Sequence, residues 1–197
     1  MKKAELFLLL LLMGSLWGFF EMLNLPVFAL CAIGVLFLVL SRRMFDIPGT
    51  SILIGLIVCF YKTYSANFFI CQWAGVMAVA ISFDFFTSVV FKENWLKLSN
   101  AMMIGALTNI SALVVFVTTV LFIFPEPYWV TGGIDRIINY ALSSTLPAAL
   151  ISAFILVPLA LFAAQKLAVK AFIVFNSFKP AAYIFITACL WIAAGLY

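Results

Sequence analysis

Ionisable side chains are rare in this sequence, and those beside or within its apolar runs are the first candidates for chemistry. Glu21 lies near the end of the first apolar run, and Lys62 closes the third. We expect both at one membrane boundary, where a charge costs less than at the bilayer centre. Two interpretations stay open: the residues pair with each other, or they recognise a charged solute.

Asp84 and Asn109 lie within longer apolar runs. A charge at the centre of a membrane helix costs about 2.5–3.5 kcal/mol, so such residues usually have a partner. Antiparallel neighbouring helices would bring the two side chains to similar depths. The sequence therefore predicts a buried Asp84–Asn109 hydrogen bond, which either joins two helices or couples a movement between them.

Amide and aromatic residues gather at the same boundary as Glu21 and Lys62. Trp and Tyr are common at membrane interfaces, so an aromatic belt explains part of this set without a ligand. Amides between aromatic walls also suit a small, flat, polar ligand. The candidate binding residues are Glu21, Tyr61, Lys62, Asn67, Gln72, Trp73, Trp129, Arg136 and Asn139. A hinge at Gly132–Gly133 would let the nearby loop act as a lid.

Motifs typical of stand-alone enzymes and metal sites are missing from the sequence. It has no Walker A glycine loop, no HExxH and no GxSxG. It has no His, and its four cysteines form no CxxC pair. We therefore expect no catalytic residue, no metal and no cofactor, and we do not expect an enzyme. A Cys59–Cys71 disulfide is one possibility, but unpaired packing cysteines are favoured.

The composition requires lipid as the solvent. The chain is 67% hydrophobic and 9% charged, whereas soluble domains are about 45–50% apolar and about 25% charged. Continuous apolar runs in lipid form helices, because every backbone polar group must be paired internally. We expect an all-α, polytopic transmembrane helical bundle of six to seven spans, with residues 1–197 forming one integral membrane domain. The net charge of +4 does not call for a nucleic-acid partner.

Seven apolar runs are predicted helices, and their flanking charges predict a topology. Of the 11 basic residues, all but Lys62 and Arg136 fall on one side, which the positive-inside rule identifies as cytoplasmic. The N-terminus is then cytoplasmic, in a bacterial or archaeal plasma membrane. Prolines 147 and 158 should kink the sixth helix, and residues 167–178 should form an interfacial helix. The predicted helices are Ala4–Leu23, Leu25–Leu40, Ile47–Tyr61, Ala66–Phe91, Ala101–Phe124, Ile137–Ala164 and Ala181–Tyr197.

Small residues four positions apart let membrane helices approach closely. Gly14 and Gly18 have this spacing in the first run, and Ala149 and Ala153 have it in the sixth. Two interpretations stay open here as well. These faces either dock a partner membrane subunit or pack inside the chain.

Three stretches resemble the substrate-binding S components of energy-coupling factor (ECF) vitamin transporters. They are the basic N-terminus leading to Gly14 and Gly18, the segment 75–86 with its glycine, acid and apolar ending, and the proline-containing segment 146–159. The resemblance implies a membrane subunit that binds a vitamin-like solute for uptake. It also implies partners: a membrane coupling subunit driven by ATPases. The alternative is a non-transporting membrane scaffold or assembly subunit.

Overall fold

The protein is all-α. The computed structural model describes residues 3–23, 25–64, 69–164 and 180–195. The helices in these ranges are α1 Lys3–Met22, α2 Val27–Phe45, α3 Thr50–Lys62, α4 Ile70–Val90, α5 Leu98–Ile123, α6 Pro127–Ala164 and α7 Pro180–Gly195. The predicted all-α class is therefore confirmed. The predicted interfacial helix at 167–178 and the candidate Asn67 lie outside the described residues.

Four of the described helices, α2, α4, α5 and α6, are long and apolar enough to cross a membrane. The apolar part of α1, and α3 and α7, are shorter. Helix α2 has 19 residues, more than the run Leu25–Leu40 predicts, because Arg42 and Arg43 remain helical. Helix α3 has only 13 residues, a length of about 20 Å. These lengths and compositions indicate an integral membrane protein.

Short connections make successive helices antiparallel, which gives the bundle two ends. Helices α1, α3 and α5 end where α2, α4 and α6 begin, and this end carries Glu21 and Lys62. We call it the Glu21 end, and the opposite end, where α2 meets α3, the Arg42 end. Helix α2 is central and contacts each of α1, α3, α4, α5 and α6. Its side chains Val35 and Leu38 are completely buried.

The small-residue faces pack inside the chain. A Cβ added at Gly14 would lie 2.7 Å from Ile57 Cβ, and one at Gly18 would lie 2.5 Å from Tyr61 Cγ. Helix α3 therefore covers the glycine face of α1 and leaves it no room for a partner subunit. Ala149 and Ala153 are also buried, in a stretch of α6 that packs against α2 and α5.

Helix α6 begins ten residues earlier than the sequence pattern predicts, at Pro127 rather than Ile137. The sequence pattern predicts a loop at 125–136, and this prediction is wrong because the chain is helical from Pro127 onward. Proline is well suited to a first helical turn, where its missing N–H has no intrahelical partner to lose. Gly133 has φ 60° and ψ −159°, a conformation that is essentially restricted to glycine. It bends the segment 127–132 relative to the rest of α6.

The predicted proline kinks in α6 coincide with widened turns. A π-turn, Ala141–Thr145, immediately precedes the turn that contains Pro147, and another, Ser152–Leu156, precedes Pro158. Proline cannot donate the normal helical hydrogen bond, and its ring clashes with the carbonyl four residues earlier. A π-turn relieves that clash, because it shifts hydrogen bonding by one residue.

Candidate functional site

A cavity of about 250 Å³ lies inside the bundle at the Glu21 end. Helices α1 to α6 each contribute at least one lining residue, whereas none comes from the described part of α7. The lining combines one ion pair with aromatic, thiol and amide side chains. Its residues are Trp17, Glu21, Val27, Leu30, Cys31, Lys62, Cys71, Gln72, Gly75, Val76, Val79, Phe116, Trp129 and Tyr140.

Glu21 and Lys62 form an ion pair at the edge of this cavity. Lys62 Nζ lies 2.9 Å from Glu21 Oε2, and it also donates to the Glu21 backbone carbonyl at 2.7 Å. Trp17 Nε1 donates to Glu21 Oε1 at 3.1 Å. The two charged side chains are 8% and 9% exposed, so their partners replace water almost entirely. The pairing interpretation of these residues is therefore confirmed.

Aromatic residues of α5 and α6 form a wall of the cavity. Phe116 and Tyr140 stack with ring centroids 5.8 Å apart and planes at 27°. Trp129 meets both rings edge-on, at 5.1 Å from each. Trp129 precedes the Gly133 bend and Tyr140 follows it, so the bend brings two distant parts of α6 to one wall. Such a wall offers ring faces and edges for contact with a flat ligand.

A smaller void of about 30 Å³ shares five lining residues with the main cavity and adds five more, of which Asn109, Ser144 and Thr145 are polar. Asn109 Nδ2 donates to the Gly105 carbonyl at 2.9 Å and to Ser152 Oγ at 3.1 Å. These bonds employ both amide hydrogens and leave the carbonyl oxygen of Asn109 as its acceptor. The smaller void therefore adds polar side chains to those of the main cavity.

Asp84 and Asn109 are both buried, but they bond to other partners and not to each other. Both carboxylate oxygens of Asp84 accept from the Gly49 backbone N–H at 3.0 Å. Arg42 Nη1 lies 3.8 Å from Asp84 Oδ1. The start of α3 and a guanidinium carry positive charge, and they stabilise a carboxylate better than a neutral amide does. The predicted Asp84–Asn109 hydrogen bond is therefore wrong.

Arg42 joins the helices that meet at its end of the bundle. Its Nη2 donates to Ser88 Oγ at 3.1 Å, and its Nε lies 3.4 Å from Asp46 Oδ1. Trp95 Nε1 donates to the same Asp46 oxygen at 3.2 Å. Arg42 is only 3% exposed. This cluster ties the ends of α2 and α4 to the turn before α3 and to the loop before α5.

Four of the nine candidate binding residues line the cavity: Glu21, Lys62, Gln72 and Trp129. The others described lie elsewhere. Tyr61 is buried against α7, with its ring 4.4 Å from that of Trp191. Trp73 is outside the lining. Asn139 is exposed on α6. Arg136 stacks over the Tyr128 ring at 4.0 Å and donates to the Tyr128 carbonyl.

Several lining residues were missed by sequence reasoning, among them Trp17, Phe116 and Tyr140. Trp17 precedes Glu21 by one helical turn, and residues four apart share a helix face, so the spacing could have placed it beside Glu21. Phe116 and Tyr140 carried no such signal, because they meet only through the packing of α5 on α6.

The described residues contain no group of three or more His, Cys, Asp or Glu side chains that could hold a metal ion. The four cysteines are free, and Cys59 Sγ lies 3.9 Å from the Trp73 carbonyl. What the cavity offers a ligand is ring stacking and hydrogen bonding. No protein-family model, no curated protein and no solved structure matches this chain.

Proposed function

We propose that the chain is a membrane-embedded subunit that binds a small solute for uptake. The observation that carries the proposal is the cavity of about 250 Å³ to which helices α1 to α6 all contribute. Small-molecule sites are concave, mostly apolar clefts with a few polar groups, often between the helices of a bundle, and this cavity has that form. Ligand pockets commonly measure about 300–1,000 Å³, and a cavity slightly below that range favours a small ligand.

The charge pattern supports capture from outside the cell. The bias of Lys and Arg across the predicted loops makes the Glu21 end the outer one. The segment 127–132 carries Trp129 into the cavity wall and bends at Gly133, so it is a natural lid for that end. The sequence has no Walker A loop of its own. We therefore propose a separate coupling subunit with ATPases as partners, as the resemblance to ECF S components implies.

A membrane scaffold or assembly subunit is the alternative function. It would employ the small-residue faces as docking surfaces, but Gly14 and Gly18 already pack against α3, and Ala149 and Ala153 are buried. The described structure therefore favours the binding subunit over the scaffold. Solute uptake distinguishes them: substitutions that fill the cavity should abolish uptake by a binding subunit, whereas a scaffold should keep both its partner and its function.

Thermal unfolding of the purified chain in detergent tests the proposal. The screen uses water-soluble vitamins and related small planar solutes, each added singly. At least one should raise the free energy of unfolding, by about 2.7 kcal/mol at a hundredfold excess over Kd. A panel in which no solute stabilises the protein would sink the proposal.

Gly75→Leu is the matched variant for this screen. Gly75 lines the cavity, and a Cβ there would have Phe116 Cδ2 at 3.9 Å as its nearest contact, so a larger side chain enters open space. The variant should fold normally and lose the solute response. Ala188→Leu on the exposed face of α7 adds similar volume away from the cavity, and it should keep the response.

A further inference from the structure

The net charge of the cavity lining is zero. Two of the residues that line the main cavity and the smaller void carry a formal charge, Glu21 and Lys62. The remaining polar lining groups are neutral thiol, phenol, hydroxyl and amide side chains. Glu126 lies at the half-buried start of α6 and is not part of the lining. A ligand in this cavity therefore meets one negative and one positive charge.

Those two charges already compensate each other. Glu21 accepts from Lys62 with one oxygen and from Trp17 with the other, and Lys62 also binds the Glu21 carbonyl. A charged ligand could recruit either residue only by separating the pair, which would leave the opposite charge buried without a partner. A ligand that leaves the pair intact would have to bury its own charge uncompensated, which is also unfavourable. Both routes disfavour anions and cations alike.

The neutral side chains of the lining indicate the shape and the hydrogen-bonding groups that the ligand should have. The stacked rings of Phe116 and Tyr140, with Trp129 edge-on to both, favour a planar group. Asn109 lines the smaller void and donates both amide hydrogens within the protein, so its carbonyl oxygen is the atom that can accept a further hydrogen bond. An N–H or O–H donor on the ligand would complement it.

We propose that the cavity selects planar, hydrogen-bond-donating solutes of zero net charge, because the closed Glu21–Lys62 pair leaves the lining without a net charge that could offset an ion. This inference rests on the proposed function, since it names the ligand class of the same cavity. Separating the pair to bind an ion would leave one charge buried without a partner, and this unfavourable alternative provides the specificity.

Benzamide, benzamidinium and benzoate test the charge selectivity, because at neutral pH they are a neutral, a cationic and an anionic form of nearly one shape. Their Kd values are measured on the purified full chain. Wild type should bind benzamide at least about tenfold more tightly than either ion, a difference of about 1.4 kcal/mol. Equal or tighter binding of an ion by wild type would overturn the inference.

Variants of the Glu21–Lys62 pair test which ion the cavity binds when one of the two charges is removed. Lys62→Met leaves the carboxylate and should shift preference toward benzamidinium, whereas Glu21→Gln leaves the ammonium and should shift it toward benzoate. The double variant Glu21→Gln/Lys62→Met removes both charges, keeps the cavity neutral, and should retain the preference for benzamide even if a single variant unfolds. A double variant that binds an ion best would contradict the claim that a lining of zero net charge favours neutral solutes.

Failure of the inference can be told apart from failure of the proposed function. If a charged solute of the vitamin panel binds wild type while benzamide and the neutral solutes do not, the ligand class is wrong and the binding function stands. If no solute of any class binds, the proposed function fails as well. The Gly75→Leu variant should abolish the binding of whichever probe wild type accepts.

Discussion

At the scale of single residues, the buried charges of the part of the chain that the structure describes lie in two clusters, one at each end of the bundle. The sequence allowed the Glu21–Lys62 pair to be predicted as one of two interpretations, because both residues flank one membrane boundary. The burial of Arg42 was not, because a basic residue at a predicted helix end is expected to extend toward water. Helix α2 continues to Phe45, and this keeps Arg42 inside the bundle beside Asp84.

Substitution of Asp84 by Asn should destabilise the protein strongly. The amide keeps the size of the side chain but removes the charge that lies beside the buried Arg42 guanidinium. Loss of one partner of a buried ion pair costs about 3–5 kcal/mol. The apparent melting temperature in detergent measures the effect.

Asp135→Asn is the control for this substitution. It makes the same chemical change on the exposed face of α6, where substitutions usually change stability by less than about 0.5 kcal/mol. Equal melting temperatures for the two variants would show that Asp84 does not stabilise the Arg42 end.

At the scale of helices, the sequence predicts which segments are helical better than where each helix ends. Apolar runs identified each of the helices α1 to α7, because lipid leaves the backbone little alternative. The predicted start of α6 was wrong, because the segment Pro127–Tyr140 mixes polar and apolar residues in a pattern typical of a loop. The cavity could be predicted only in part. Glu21, Lys62, Gln72 and Trp129 share a boundary, but the contact of Phe116 with Tyr140 depends on how α5 packs against α6.

The contact of α1 with α3 should be sensitive to a single added methyl group. Gly18→Ala would bring a Cβ within 2.5 Å of Tyr61 Cγ, and this part of the tyrosine lies too near its backbone to move away. Overpacking of this kind typically costs about 1–3 kcal/mol. We expect a lower melting temperature for Gly18→Ala and little change for Gly195→Ala, where a Cβ would have nothing within 4 Å. A Gly18→Ala variant as stable as wild type would contradict the close approach of the two helices.

At the scale of the whole molecule, α7 stands apart from the helices that enclose the cavity. It packs on α1 and α3, where Trp191 Nε1 donates to Ser15 Oγ at 3.2 Å and the Trp191 ring contacts Tyr61. The bundle therefore consists of a cavity-forming unit, α1 to α6, and an additional helix. This division bears on the predicted six to seven spans, because α1 to α6 line the cavity and the described part of α7 does not.

The side of the membrane on which α7 ends decides between six and seven membrane spans. Seven spans place Gly195 outside and the loop residue Glu93 inside. Single cysteines at these positions, in a background without the native cysteines, are treated in intact cells with a membrane-impermeant thiol reagent. Gly195→Cys should be labelled, and Glu93→Cys should be labelled only after the membrane is opened. Protection of Gly195→Cys in intact cells would contradict the seven-span topology.

Native mass spectrometry of the chain purified gently from its own membranes tests the central claim most directly. It detects a bound solute by the added mass alone, whatever the chemical identity of that solute. Wild type and Ala188→Leu should carry a small-molecule adduct, and Gly75→Leu, whose added side chain enters the cavity, should lack it. The same adducts on all three proteins, or adducts of lipid alone, would contradict the assignment of the cavity as a solute-binding site.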